Sequence, residues 1–84
     1  MTKKEITIQL ANGLEARPVA MLVQVASRFD SSVYIDTDSK HVNAKSIMGM
    51  MSLGLDAGEQ VTVVCDGSDE EAAVEGVANY LIGK

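Results

Sequence analysis

Residues 5–10, EITIQL, alternate apolar and polar side chains, whereas from Ala16 onward the apolar residues recur every three to four positions. Each period suits one backbone. A period of two puts Ile6, Ile8 and Leu10 on one face of a strand, and a period near 3.6 puts Ala16, Val19, Ala20, Val23 and Ala26 on one stripe of a helix. Leu22 and Phe29 widen that stripe, and the helix is predicted from about 16 to 28. Asn12-Gly13 marks the turn before it, and Pro18 fits a first helical turn, where its missing N–H has no partner to lose.

The alternation of periods continues. SVYIDT (32–37) and HVNA (41–44) read as strands joined by a polar hairpin, DTDSK. Ser46, a favoured N-cap residue, precedes a short helical segment with Ile47, Met50 and Met51 at helical spacing, and GEQVTVVCD (58–66) reads as a further strand. Ser68 and Glu71 have capping-box spacing, so Ser68 is the expected N-cap of a last helix with Ala73 or Val74, Val77, Ala78 and Leu81 inward. Gly76 inside that helix costs ~1 kcal/mol against Ala, and Gly83 ends it. The order is β-α-β-β-α-β-α. It predicts an α+β fold, an antiparallel sheet with helices on one face, with a ferredoxin-like βαββαβ arrangement as the alternative. No linker divides the chain, so residues 1–84 are expected to form a single domain.

Composition narrows the function classes. The chain is 46% hydrophobic but only 4% aromatic, so the core must be aliphatic. The formal charge of −5 argues against a direct nucleic-acid binder, which would carry a basic face. Cys65, the single cysteine, lies in an apolar strand run and reads as a buried structural thiol. With no signal-peptide core and no run of 18 apolar residues, a soluble cytoplasmic protein is expected. No cofactor-binding glycine motif, metal-ligand cluster or base-nucleophile pair is apparent, so the chain is read as neither an enzyme nor a cofactor or metal carrier.

Two segments, NGLEARPVAMLVQVASRFDSSVYI and KHVNAKSIMGMMSLGLDAGEQVTV, resemble the HPr family, the small phosphocarriers of the bacterial sugar phosphotransferase system. The resemblance spans nearly the whole chain. It implies an open-faced β-sandwich, a four-stranded antiparallel sheet covered by three helices. The family motif G-[IL]-H-A-R-P carries a phosphoryl-accepting histidine. Here Glu15 stands at that position, and Arg17 is retained. The only histidine, His41, lies outside the motif and reads as structural or solvated. Glu15 has two readings: a favourable anion at a helix N-terminus, or a permanent occupant of the place a phosphate would otherwise visit. In neither is it the neutral nitrogen nucleophile that carrier chemistry requires.

The stretch KSIMG matches the family's regulatory serine, so the resemblance implies phosphorylation of Ser46 by an ATP-dependent HPr kinase/phosphorylase. A short helix cannot turn Ile47, Met48, Met50 and Met51 all inward, so at least one of Met48 and Met51 is expected to remain exposed beside Ser46. The resemblance implies that Ile47, Met48 and Met51, with Arg17 and Ala20 of the preceding helix, dock partner proteins. Lack of the histidine with retention of the serine is similar to the Crh-like members of the family. That pattern implies a phosphoserine-dependent corepressor of a LacI-type, CcpA-like transcriptional regulator. A sugar-transport phosphocarrier and a phosphorylation-independent binding module are the alternatives.

Overall fold

The computed structural model describes residues 1–9, 16–53 and 58–83. Four strands, β1 (Thr2–Thr7), β2 (Ser32–Asp36), β3 (His41–Asn43) and β4 (Gln60–Asp66), alternate with three helices, α1 (Ala16–Ser27), α2 (Ile47–Met51) and α3 (Glu70–Leu81). The strands form one antiparallel sheet in the order β1-β4-β2-β3. The register aligns Ile6 with Val61 and runs Lys4, Val63, Ile35 and Val42 across all four strands. Val33, Ile35, Val61, Val63 and Cys65 thus line one face. They join Val19, Leu22 and Ala26 of α1, Met50 of α2 and five residues of α3 in one buried cluster. The α+β expectation with an antiparallel sheet and helices against one face agrees with this arrangement.

Several boundaries differ from the sequence reading, and in each case a partner decides. β1 runs from Thr2 to Thr7 rather than from 5 to 10, because the β4 ladder spans Cys65 to Gln60 opposite it. The polar TKK start hides that strand. Lys4 lies in register on the apolar face, and its flexible stem carries the ammonium out to Glu75 at 3.4 Å. Ile8, already past the strand, is held through its N–H to the Glu59 carbonyl at 2.9 Å and its carbonyl to Gly58 N–H at 2.7 Å. Leu10 lies outside the described residues. β4 starts at Gln60, not at 58, and β2 and β3 end one residue short, at Asp36 and Asn43. Thr37 closes the hairpin instead, its N–H donating to the Lys40 carbonyl at 2.8 Å.

Helix α1 stops at Ser27, so Phe29 falls beyond the stripe it was expected to widen. Its ring uses the gap left by Gly76 of α3, where a Cβ would come within 2.9 Å of Cζ. That contact gives the helix-weakening glycine its purpose.

The expected N-cap is shifted. Asp69, not Ser68, is the N-cap of α3, and its carboxylate makes no cap hydrogen bond. It accepts the N–H groups of Asp30 and Ser31, each at 2.9 Å, and the Ser31 hydroxyl. The Ser31 hydroxyl above all, then the Asp30 N–H, holds the Asp69 carboxyl below the ordinary carboxylate range. The Ser68–Glu71 box is not formed; in the turn before the helix Glu70 instead accepts Gly67 N–H at 3.2 Å. Glu70 also accepts the Thr2 hydroxyl and the N-terminal ammonium, the latter at 2.9 Å. These contacts, Thr2 first, lower its pKa from 4.5 to about 2.

The Gly67 and Glu70 contacts each have a measurable consequence. Gly67 has φ 155° and lies so close to Ser31 that a Cβ would come within 2.7 Å of its Cα. Gly67→Ala should therefore destabilise the protein by about 2–4 kcal/mol in urea unfolding, combining overpacking with an unfavourable backbone angle. Glu70 governs the response to acid. With its lowered folded-state pKa, it contributes stability that is complete above pH 4.5 and lost as the pH falls toward about 2. Glu70→Gln should lower the melting temperature at neutral pH and flatten its decline through that acid window. An unchanged pH profile would show that the Thr2–Glu70 contacts add nothing.

Candidate functional site

The approach to α2 is fixed by side chains of its own connection. The Lys45 N–H donates to Asn43 Oδ1 at 2.8 Å, and the Ser46 N–H to the Asn43 carbonyl at 3.0 Å. That turn delivers Ser46 in an extended conformation, φ −104° and ψ 112°, as the N-cap of α2. Its Oγ accepts Gly49 N–H at 3.2 Å, and its carbonyl accepts Met50 N–H at 2.9 Å. The expected serine cap is therefore formed, with Ser46 itself exposed. At the other end Ser52 Oγ donates to the Gly49 carbonyl at 2.6 Å and Lys40 Nζ to the Ser52 carbonyl at 2.8 Å.

Five residues of helix leave room for one inward anchor, and Met50, fully buried, takes it. Ile47, Met48 and Met51 are 45%, 80% and 53% exposed, so at least one methionine does face outward, and in fact both do. Three of the five exposed large apolar residues among those described therefore stand on one helix turn beside the Ser46 hydroxyl. α1 packs against α2. It contributes half-buried Ala20 and carries Arg17 in its first turn. Glu15 lies outside the described residues. Met21, 50% exposed, is a surface residue that the sequence reading does not single out. Its signal is a large apolar residue set off the Val19–Leu22–Ala26 stripe.

Lys45 does not reach toward its neighbour Ser46. Its Nζ donates to the Phe29 carbonyl at 2.7 Å, beyond the end of α1. His41 is exposed on β3, stacked on Tyr34 with ring centroids 4.3 Å apart and bonded through Nδ1 to the Asp36 carboxylate across the ladder. The histidine thus has local structural partners. Cys65 is buried, and burial raises its thiol pKa. A cleft of about 500 Å³ beside the hairpin is lined by Thr37, Asp38, Ser39, Lys40, Leu53, Glu59 and Gln60, and shares no residue with the Ser46 surface. Among the described residues no three His, Cys, Asp or Glu side chains gather as a metal site, and no helix is long and apolar enough to cross a membrane.

Residues 2–82 match the family described as the PTS HPr component phosphorylation site. The chain belongs to the HPr family. It is 47% identical over 81 residues to the HPr-like protein Crh of Bacillus subtilis, covering 96% of this chain and 95% of that one. The HPr-like protein Crh of Halalkalibacterium halodurans is 44% identical, with 96% of each chain covered. The crystal structure of the phosphocarrier protein HPr from Bacillus anthracis superposes with a TM-score of 0.92 at 48% identity, over 95% of both chains. A crystal structure of Bacillus subtilis Crh, described as a swapped dimer, gives a TM-score of 0.78 at 47% identity, over 96% of this chain and 93% of that one. The HPr-like open-faced sandwich of four strands and three helices is therefore the fold of this chain.

Because the Ser46 hydroxyl satisfies an otherwise unpaired N–H of α2, Ser46→Ala should cost about 1 kcal/mol. Urea unfolding with an unchanged m-value would register it. A loss near zero would mean that water replaces the cap at this exposed site.

Proposed function

We propose that this chain is an HPr-like regulatory protein of carbon catabolite repression. In this reading an ATP-dependent HPr kinase/phosphorylase phosphorylates Ser46, and the phosphorylated form is the corepressor of a LacI-type, CcpA-like regulator. The observation that carries the proposal is an exposed Ser46 hydroxyl flanked by exposed Ile47, Met48 and Met51. The likeness to two proteins named Crh supports it, as does Glu15 at the place of the family's histidine. The protein is not itself an enzyme in this reading; it is a substrate and a ligand, and it works in the cytoplasm.

The electrostatics set what the partner must bring. The chain carries −5, and a phosphoserine adds roughly −1.5 to −2. Net charge then favours no acidic partner. Lys45 is committed to the Phe29 carbonyl, so it is not the neutralising cation for a phosphate one residue on. The regulator supplies that charge, and Arg is suited to it because bidentate, charge-assisted contacts are about twice as strong as neutral ones. Apolar contact comes from Ile47, Met48 and Met51, with Arg17 and Ala20 completing the surface from α1. Flexible thioethers suit a surface that meets more than one protein.

Phosphoryl carriage in sugar transport is the second reading, favoured by the likeness to the Bacillus anthracis phosphocarrier. Glu15 opposes it, since an anion there repels a phosphorylated donor and offers no imidazole nitrogen.

Incubation with HPr kinase/phosphorylase and ATP should add one phosphate, absent in Ser46→Ala, whereas phosphorylated enzyme I should add none. Both are read by mass spectrometry. Calorimetry against the regulator should then show tight binding only for the phosphorylated form. Met48→Ala should weaken it by about 1–2 kcal/mol, roughly a fivefold to thirtyfold rise in Kd, and added salt should weaken it further. Equal affinity of the modified and unmodified forms would favour a constitutive binding module.

A further inference from the structure

We infer that Gly49 is a positioning residue for chemistry at Ser46: the side chain it lacks keeps the approach to the Ser46 hydroxyl open. The inference rests on Ser46 being the acceptor proposed above.

A Cβ on Gly49 would stand 3.3 Å from Ser46 Oγ, 3.5 Å from Ser46 Cβ and 3.0 Å from Val42 Cγ1. The backbone does not require glycine, since Gly49 is not among the positive-φ residues. Ala is the better helix former, so glycine in a helix of only five residues weakens it. What glycine supplies is space. The hydroxyl is held toward this position by Gly49 N–H, which donates to Oγ at 3.2 Å. A methyl at the same place would crowd the oxygen from the side to which it is tied.

Phosphoryl transfer makes that crowding matter. The Ser46 Oγ–phosphorus bond forms in line as the bond from the γ-phosphorus to the ADP oxygen breaks, and ADP leaves with that electron pair. The hydroxyl proton passes to a base of the kinase. One exposed oxygen must therefore admit a phosphorus and a base together, and small misplacements at a reacting centre are costly. Beyond its chain neighbours, the atoms nearest a residue-49 Cβ belong to Val42 and Ser46 rather than to Ile47 or Met51, so crowding should act on turnover more than on binding.

The test separates crowding at Ser46 from crowding at Val42. Val42→Ala first removes the contact on β3, and Gly49→Ala is then added in that background. With HPr kinase/phosphorylase and ATP, kcat/KM at residue 46 should fall by roughly tenfold or more, carried by kcat rather than KM. The melting temperature should hold or rise. A second arm needs no kinase: Ser46→Cys is placed in both backgrounds and alkylated with iodoacetamide, buried Cys65 serving as the unreactive reference. Alkylation should slow several-fold when Gly49→Ala is present. An unchanged kcat/KM or an unchanged alkylation rate overturns the inference. If the wild-type chain takes no phosphate while alkylation still slows, the acceptor reading of Ser46 fails and the crowding by a residue-49 side chain stands.

Discussion

The turn from α1 into β2 is held from both sides by charged side chains distant in sequence. Asp69 accepts the N–H groups of Asp30 and Ser31, and Lys45 donates to the carbonyl of Phe29. Three consecutive residues thus have backbone groups satisfied by charged partners, where irregular backbone would otherwise depend on water. Gly67 closes against Ser31 with no room for a side chain. β2 is an inner strand, so fixing where it begins fixes its register against β4 and, through β3, the point at which the chain enters α2. The same turn ends α1 and sends the Phe29 ring to the gap at Gly76. Helix, sheet and the Ser46 surface all take their bearings from it.

Beyond that turn the chain has too little helix for its apolar residues. α2 is five residues long, set between a short edge strand and a turn, and a single inward methionine anchors it. Its ends are satisfied by Ser46 at one side and by Ser52 and Lys40 at the other. The apolar residues that find no core become a surface. Exposure of Met48 and Met51 is therefore a consequence of length: the segment is apolar enough for a buried helix and too short to be one.

The sheet, the order of elements and most of the core were legible because periods of two and 3.6 separate over the longer strands and helices. The Ser46 cap was legible because a serine before an apolar helical run has a local reason to be there. Elements whose limits are set by a distant partner were not. The TKK start of β1 carries no apolar alternation, yet it pairs fully with β4. Ser68 and Glu71 obey the capping rule, but Asp69 takes the N-cap place and is drawn to Ser31, 38 residues away, and Glu70 rather than Glu71 bonds the turn before the helix. Met21 escaped notice because a residue off the apolar stripe reads as ordinary surface, and Gly76 made no sense without the Phe29 ring. Glu15 sits where the sequence is most informative and where the described structure does not reach.

The three methionines of α2 differ in what they show to solvent, and so in their chemistry. Met48 and Met51 present their thioethers at the surface, while Met50 is sealed in the core. Sulfoxide formation turns a flexible apolar side chain into a polar, chiral one. An oxidant therefore reaches the two sulfur atoms on the outer face before the one on which the packing of the helix depends. Oxidative damage to this short helix is thus divided by geometry: the solvent-facing side is altered first, and the fold outlasts it.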